Sequence, residues 1–449
     1  MSVKLNTYLL EAQKANINPF EINVKVASDV SVSLFEGKVE NVTIANDSTV
    51  TGRGIYNGKI GAFTSDTLSK EIPSLMAKNI VESATYGPEG DPTLFVGKGQ
   101  KYKKPKTYYP VLENVGVNEL TGIAQRVYEG AKRVAGVSEI TVNVEYYSGK
   151  SEMNNSLGLK LSSKRNYVAV ACELLAKKDD LVESNFDAKY VTEISSFDPE
   201  SFGEDIAKGA INKLGGSSVK SGKYNIVIDQ DNIATLLNAL IGNLSAFDIQ
   251  HGVSLLKDTK GKKVLSEKLS IDLKPVSDCV FGSSYDAEGT PKQNLKLVKN
   301  GVIQTYFYDL ETAKKDGTTS NGCGTKQGNN IRPEMDYIVV KPGKLSSDEL
   351  VSEVKNGIYI NNLTGANAGL DPVSGDFSLQ ASGCLIEDGK LTKPLSLITL
   401  AGNLLTMFNE IKSIGSDSKE TLRGCNCPSM SFESMSVSEI GRASCRERV

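Results

Sequence analysis

The sequence predicts an α+β protein of several domains with an extensive, largely antiparallel sheet. The chain has 449 residues, which is too long for one hydrophobic core, so two or three domains are expected. Segments that alternate apolar and polar residues, as half-buried strands do, are interspersed with amphipathic helical segments. Glycine is frequent, at 41 residues, and it supplies the positive φ that tight turns between strands require.

The first part of the chain predicts strands followed by a helix. The stretches "EINVKV" and "VSVSLFEGKVENVTI" alternate with a period of two, and "EGK" and "NGK" predict hairpin turns. The stretch "SKEIPSLMAKNIVESAT" then returns to helical spacing. We expect an N-terminal α+β domain over residues 1–86.

A linker rich in Gly, Pro and Lys is predicted over residues 87–113. Its lysines are interleaved with tyrosines in "VGKGQKYKKPKTYYP". Basic residues mixed with aromatic ones can follow a nucleic-acid backbone and stack on bases. A solvated connector between domains is the interpretation that the overall acidic charge favours.

The remaining chain predicts a middle and a C-terminal domain. The α+β middle domain, 114–222, begins with the helix "NELTGIAQRVYEGAKRVAG" and closes with a helix that Asp198 can cap. The larger C-terminal domain, 223–438, is expected to be dominated by antiparallel sheet. It opens with a buried strand, "YNIVID", and the helix containing "LLNALIGNLSA", and another helix is predicted in "GNLLTMFNEIKSIG" near its end.

The last residues, 439–449, follow no pattern of the preceding chain. Their sequence, "EIGRASCRERV", can be read as the translation of a common sequencing-adapter oligonucleotide. We therefore interpret this segment as a probable artefact and exclude it from the prediction of the fold.

Composition excludes several classes of function. The net charge of −3 gives no general attraction to nucleic acid or to an anionic membrane. No apolar run approaches the ~20 residues of a membrane-spanning helix, and the N-terminus lacks the apolar core of a signal peptide. We therefore expect a cytoplasmic protein with neither a membrane nor a nucleic-acid partner.

The chain is poor in metal ligands. His251 is the only histidine, so this chain alone cannot form a zinc site with two histidine ligands. Cys425 and Cys427 stand one residue apart, whereas the cysteine pairs of structural zinc sites are usually separated by two to four residues. No metal site and no catalytic group are predicted in this chain.

A long C-terminal stretch contains S-G-D-F-S, then I-E-x-G-K, x-P and A-G-N-L, at Ser374–Ser378, Ile386–Lys390, Pro394 and Ala401–Leu404. This series of motifs resembles that of the TldD/PmbA family, the bacterial and archaeal TldD–TldE peptidase proteins. Asp286 and Glu288 in "SSYDAEGTPKQNLK" also match, as does the early "GRGIYNGKIGAFTS". The resemblance extends from about residue 20 to Ser438 and identifies the chain as a member of this family.

The helix with "LLNALIGN" departs from the catalytic pattern of the family. Members that resemble TldD carry H-E-x-x-x-H there, and the two histidines align with Asn238 and Asn243 while the glutamate aligns with Ala239. Zinc catalysis needs imidazole ligands and a carboxylate that takes a proton from bound water. Asparagine is a poor zinc ligand and alanine cannot act as a base. The chain therefore resembles the PmbA (TldE) branch, which lacks the metal ligands.

The resemblance implies a partner and a substrate. A TldE-like chain pairs with a TldD-like catalytic subunit, which is expected to hold the zinc, and together they enclose unfolded peptide, such as the leader of a peptide antibiotic or an antitoxin. Ser374, Gly375, Asp376 and Phe377 are candidates to line the shared cavity or the subunit interface. A structural turn in which Asp376 satisfies local backbone amides is an equal alternative for these residues.

Two functions of other classes stay open at this point. One is regulation of DNA gyrase, a role once attached to the family name, for which only the lysine-rich linker offers a contact surface. The other is a stand-alone peptide-binding protein without hydrolysis.

Overall fold

The computed structural model describes residues 4–328 and 330–439 of the chain. Of the predicted adapter segment, residues 440–449 lie outside the described residues, and Glu439 ends the last strand. The helices are α1 Leu5–Lys14, α2 Ile72–Thr85, α3 Val117–Lys132, α4 Pro199–Ile211, α5 Gln230–Gly242, α6 Ala246–His251, α7 Leu310–Lys315, α8 Ser347–Val354, α9 Ala366–Gly369 and α10 Leu404–Asn409.

The strands are more numerous than the helices, as expected for this class. They are β1 Phe20–Phe35, β2 Lys38–Tyr56, β3 Lys59–Ser65, β4 Val137–Asn155, β5 Lys160–Lys178, β6 Leu181–Val191, β7 Gly222–Ile228, β8 Ile271–Leu273, β9 Leu295–Lys299, β10 Val302–Ile303, β11 Gly324–Gln327, β12 Asn330–Pro333, β13 Ile338–Val340, β14 Gly357–Thr364, β15 Asp376–Glu387, β16 Lys390–Asn403, β17 Ile411–Ile414, β18 Lys419–Glu420, β19 Cys425–Cys427 and β20 Met430–Glu439. The α+β class with extensive antiparallel sheet is confirmed.

The strands of the predicted N-terminal and middle domains form one sheet in the order β3-β2-β1-β4-β5-β6. All its pairings are antiparallel, and β1 pairs with both β2 and β4. Helices α1–α4 pack on one face, where apolar side chains such as Val32, Val144 and Val170 are buried. The opposite face carries mostly polar side chains. The pairing of β1 with β4 joins the predicted N-terminal and middle domains in this one sheet. The boundaries between the domains stay predictions.

Two further sheets form the C-terminal region. One has the order β10-β9-β8-β13-β19-β18, and β11 and β12 form a separate hairpin. The other has the order β16-β15-β14-β7-β20-β17, and β16 also pairs with β20, so five of its strands close on themselves. Helix α5 lies in the apolar core of this region with Leu236, Leu237 and Leu240 fully buried.

The prediction of a helix throughout "GNLLTMFNEIKSIG" is wrong for the second half of this stretch. Asn403 caps α10 by accepting hydrogen bonds from the backbone N–H groups of Leu405 and Thr406. The helix ends at Asn409, and Ile411 then pairs with Phe432 of β20. Apolar residues at helical spacing are equally suited to an edge strand, and tertiary pairing decides between the two.

The predicted linker packs between the N-terminal sheet and the C-terminal region. The Tyr102 hydroxyl donates to the carbonyl oxygen of Gly289 at 2.7 Å, and the backbone N–H of Lys106 donates to Asp278 at 2.6 Å. Asn166 of β5 donates to the Tyr109 carbonyl and accepts from its N–H. The backbone of this segment is thus held at several points, while Lys98, Lys101, Lys103 and Lys104 stay exposed.

Candidate functional site

Helix α5 begins where β7 leaves the sheet. The Asp229 carboxylate caps it by accepting from the backbone N–H of Asn232 at 3.0 Å and from the Asn232 side-chain amide at 2.7 Å. Burial raises the pKa of Asp229 to about 6. Asp229, and not the neighbouring Asp231, is therefore the N-terminal cap of α5.

Asn238 lies on the side of α5 that faces residue 423. Its side-chain amide nitrogen donates to the carbonyl oxygen of Arg423 at 3.0 Å. Its amide oxygen is buried and has no hydrogen-bond partner among the described residues. Asn238 therefore connects α5 to the turn that precedes β19.

Asn243 is the C-terminal cap of α5 and is almost fully buried. Its amide nitrogen donates to the carbonyl oxygens of Ala239 and Pro372, at 3.0 Å each, and its amide oxygen accepts from the backbone N–H of Leu255 at 2.9 Å. Ala239, one turn earlier, is half-buried and packs against the C-terminal core. The hydrogen-bonding capacity of Asn243 is thus taken up by the protein.

These residues do not fit a zinc ion. Asparagine can bind a metal only through its amide oxygen, a weak ligand for zinc; the Asn243 oxygen already accepts from Leu255, and Ala239 offers no carboxylate. Within the described parts of the chain no three His, Cys, Asp or Glu side chains are grouped so that they could hold a metal ion.

The segment Ser374–Phe377 forms a tight turn at the start of β15. Asp371 accepts from the backbone N–H of Val373 at 2.8 Å, and Asn403 donates to the Ser374 carbonyl at 2.9 Å and to Asp376 at 2.8 Å. Gly375 has φ of +78°, in the left-handed region. Ser374 and Asp376 are exposed.

Phe377 is different from its neighbours, because its ring is buried in the C-terminal core. It can pack, but it cannot line an exposed cavity in this structure. Of the four predicted contact residues, Ser374 and Asp376 are the ones whose side chains reach solvent.

The structure brings Asn243 close to the turn but leaves Asn238 apart from it. Pro372, which accepts from Asn243, belongs to the same loop as Ser374. A Cβ at Gly375 would lie 2.8 Å from a methyl carbon of Leu255, the residue whose N–H donates to Asn243. Asn243 and the turn at Ser374–Phe377 therefore form one connected unit at the end of α5.

Cys425 and Cys427 lie in β19 beside α5 and are fully buried. The Cys427 thiol lies 3.3 Å from the carbonyl oxygen of Gln230. The hydrogen bond with Cys425 and burial raise the pKa of the Cys427 thiol far above its usual value. Both side chains therefore belong to the packing of α5.

A group of buried charges between the N-terminal sheet and the C-terminal region was not predicted as a site. The Arg53 guanidinium donates to Glu21 at 3.1 Å, lies 3.9 Å from Glu288, and stacks over the ring of Phe95 at 4.7 Å. Glu288 in turn accepts from the backbone N–H of Leu310 at 2.8 Å. The three charged side chains are largely buried.

Asp286 completes this group. Its carboxylate accepts from the backbone N–H groups of Glu288, Thr290 and Gly324 at 2.8–3.0 Å. Burial nevertheless raises the pKa of Asp286 to about 7, and burial together with the Asp286 charge raises that of Glu288. Asp286 and Glu288 both match the family pattern, but no signal in the sequence links them to Arg53.

Glu21, Arg53 and Asp286 of this group border a cavity of about 990 Å³. Its floor is the polar face of the N-terminal sheet, and its opposite wall comes from residues 281–287, the β11–β12 hairpin and residues 422–424. Arg423, whose carbonyl oxygen accepts from Asn238, lies on this wall. Helix α5 therefore contacts the wall of the cavity through Asn238.

Family models match most of the chain. Residues 221–439 match the PmbA/TldA metallopeptidase C-terminal domain, and residues 110–214 match the PmbA/TldA metallopeptidase central domain. A metalloprotease of Methanothermobacter thermautotrophicus is 27% identical over 414 residues, covering 88% of each chain. A zinc metalloprotease TldD homologue of Saccharolobus solfataricus is 24% identical and covers 88% of this chain and 91% of its own.

Solved structures share the complete architecture. A candidate modulator of a DNA gyrase from Thermotoga maritima has a TM-score of 0.88 and 26% identity, covering 96% of this chain and 99% of its own. TldE from Thermococcus kodakarensis has a TM-score of 0.87 at 19% identity, covering 97% and 99%. None of the described helices is long and apolar enough to span a bilayer. Sequence motifs, family models and architecture agree, and the chain belongs to the PmbA/TldD metallopeptidase family.

Proposed function

We propose that this chain is the TldE-like, non-cutting subunit of a heterodimeric zinc metallopeptidase. The observation that carries the proposal is the use of Asn238 and Asn243: the amide nitrogen of each, and the amide oxygen of Asn243, make hydrogen bonds that fix α5 to neighbouring loops. A helix that served zinc chemistry would leave ligands directed at a common point. In this proposal the zinc and the catalytic carboxylate belong to a TldD-like subunit.

The proposed substrate is unfolded peptide, as in removal of a peptide-antibiotic leader or degradation of an antitoxin. The exposed side chains of Ser374 and Asp376 at the end of α5 support a contact there with peptide or partner. Their hydrogen bonds with Asn403 equally support a purely structural turn. The described cysteines form no disulfide, which supports the proposed cytoplasmic location.

The test combines the purified chain with the TldD-like subunit encoded in the same genome. We expect the chain alone to contain no stoichiometric zinc and to leave an unfolded, fluorogenic peptide intact, while the mixture cleaves it and a chelator abolishes cleavage. Metal content and cleavage rate are measured for each subunit and for the mixture. Chelator-sensitive cleavage by this chain alone, or a mixture no more active than the TldD-like subunit, would overturn the proposal.

Modulation of DNA gyrase is the second candidate, and the descriptions of the structures from Thermotoga maritima and Bacteroides thetaiotaomicron favour it. The lysine-rich segment is the contact surface that this hypothesis uses. Its exposed lysines, Lys98, Lys101, Lys103 and Lys104, can be replaced by glutamine without removing backbone contacts. Gyrase supercoiling assays with the native and substituted chains test it. A lysine-dependent change in supercoiling would support the second candidate against the first.

A further inference from the structure

The cavity between the N-terminal sheet and the C-terminal region is strongly basic, although the whole chain has a net charge of −3. Three carboxylates line it, those of Glu21, Asp286 and Asp336. Eight basic side chains line it as well: Lys25, Arg53, Lys150, Lys164, Arg165, Lys292, Lys326 and Arg423. A local excess of positive charge in an acidic protein indicates attraction of an anionic ligand.

The three carboxylates do not neutralise this excess. Glu21 is paired with Arg53, and Asp336 is paired with Lys292. The carboxylate oxygens of Asp286 accept three backbone N–H groups, and its raised pKa, about 7, leaves it only partly ionised at neutral pH. The carboxylates of the cavity wall are therefore already paired with basic side chains or hydrogen-bonded to backbone N–H groups.

Several of the basic groups have no carboxylate partner. Among the described residues no Asp or Glu oxygen lies within 4.0 Å of the charged nitrogens of the following four side chains, Lys25, Arg165, Lys326 and Arg423. Arg165 is held in place by a 2.6 Å hydrogen bond to the Gly282 carbonyl. Desolvation and repulsion by Lys25 and Arg53 lower the pKa of Lys326. An anion placed among these groups would relieve that repulsion.

The floor of the cavity has the shape for an extended chain. On the polar face of the sheet, β-pairing places Ala27, Gly149 and Arg165 in one row and Lys25, Ser151 and Ser163 in the next. The small side chains of Ala27, Ser151 and Ser163 leave the space above the sheet open, and the basic side chains of Lys25 and Arg165 lie beside this space. The space of about 990 Å³ suits several residues of an extended peptide.

The aromatic residues of the wall argue against a nucleic acid. Phe281 stacks on Tyr337 with ring centroids 5.6 Å apart and planes 9° from parallel, and Tyr147 stacks on Tyr167 at 5.1 Å. Single-strand binding proteins instead offer open aromatic faces to successive bases. In this cavity the aromatic faces of these residues pack against other rings of the protein.

We propose that this cavity binds an acidic segment of an extended peptide, whose carboxylates are held by Lys25, Arg165, Lys326 and Arg423. The proposal specifies the substrate class of the proposed TldE-like subunit, and it rests on that function for the choice of a peptide as the anion. It assigns to this chain the selection of peptide by charge, while cleavage belongs to the partner.

The test is fluorescence anisotropy of rhodamine-labelled decapeptides with the complete chain and no partner. We expect (Gly-Glu)5 to bind at least tenfold more tightly than (Gly-Gln)5, with (Gly-Lys)5 weaker still, and salt to weaken (Gly-Glu)5 most. The variant Lys25→Gln/Lys326→Gln/Arg423→Gln should lose at least tenfold in affinity for (Gly-Glu)5. Equal affinity for the three peptides would overturn the proposal.

The matched control is Lys70→Gln/Lys296→Gln/Lys390→Gln, which removes the same charge from exposed lysines outside the cavity. It should retain the affinity of the native chain, and a loss as large as that of the cavity variant would overturn the proposal. A labelled dT10 that binds more tightly than (Gly-Glu)5, and loses affinity in the cavity variant, would assign the cavity to nucleic acid instead. Because no partner is present, failure here is separate from failure of cleavage by the mixed subunits.

Discussion

The side-chain amide of Asn243 donates a 3.0 Å hydrogen bond to the carbonyl oxygen of Pro372, across the gap between the end of α5 and the loop before β15. In the TldD-like pattern this position belongs to a metal-binding histidine. Here the same position holds two backbone segments together, because the amide oxygen also accepts from Leu255. The side chain that would bind the metal in a catalytic relative instead makes hydrogen bonds that hold the end of α5 in place in this chain.

Replacing Asn243 should therefore destabilise the fold. Asn243→Ala leaves the partly buried N–H of Leu255 without its acceptor and removes the hydrogen bond to Pro372, which we expect to cost about 1–3 kcal/mol in the free energy of unfolding. Asn238→Ala is the matched control, since Asn238 makes a single hydrogen bond and should cost about 1 kcal/mol. Urea unfolding of both variants measures the difference. Equal losses would contradict the structural role assigned to Asn243.

The local features of α5 could be predicted from sequence. Its apolar stripe and its aspartate cap depend only on residues within one or two turns of each other, so both follow from the local sequence. The C-terminal helix failed at Ile411, because the partner that decides its conformation, Phe432, lies far along the chain. The local sequence shows the periodicity of apolar residues, but hydrogen bonding to a distant strand decides whether the segment becomes a helix or an edge strand.

The buried charged side chains around Arg53 are another feature that contacts between distant parts of the chain determine. Arg53 and Glu288 are 235 positions apart, and nothing in "GRGIYNG" or "YDAEG" indicates that the two meet. The cavity was missed for the same reason, since its basic residues come from separate strands and loops. Predicting it would require knowing that β1–β6 form one sheet with a polar face directed at the C-terminal region.

The conformation of Gly375 gives a second prediction. Gly375→Ala places a side chain at φ of +78° and puts its Cβ 2.8 Å from a methyl carbon of Leu255. Gly365→Ala is the matched control, because Gly365 has φ of +81° and no atom within 4 Å of the added Cβ. The control should lose about 1–2 kcal/mol from backbone strain alone, and Gly375→Ala should lose more. Thermal unfolding distinguishes them, and similar losses would show that the Leu255 contact is unimportant.

The Glu21–Arg53 pair gives a third prediction. Arg53→Met leaves the Glu21 carboxylate buried without its partner, so we expect a loss of about 3–5 kcal/mol in the free energy of unfolding. Adding Glu21→Gln should recover part of this loss. Arg133→Met removes an exposed partner of Glu200, whose charge is screened by solvent, and should change the free energy of unfolding far less than Arg53→Met does. Urea unfolding of the variants tests the contrast, and equal effects of the two arginine substitutions would refute it.

The buried carboxyls give the last prediction, a dependence of stability on pH. Burial raises the pKa of Asp286 to about 7 and raises that of Glu288, so the folded state keeps protons that the unfolded state has already released. Stability contributed by these groups is therefore present below their unfolded pKa values, near pH 4, and is lost as pH rises through about 7. The slope can reach about 1.4 kcal/mol per pH unit for each proton.

Glu288→Gln tests this directly, because an amide oxygen can still accept from Leu310 but the side chain no longer titrates. We expect the variant to lose less stability than the native chain between pH 5 and pH 8, measured by urea unfolding at each pH. Glu40→Gln controls for net charge, since Glu40 is exposed and has no ion pair among the described residues. A native chain whose stability rises over this interval, or a Glu288→Gln variant with an unchanged slope, would show that these carboxyls are already ionised in the folded protein.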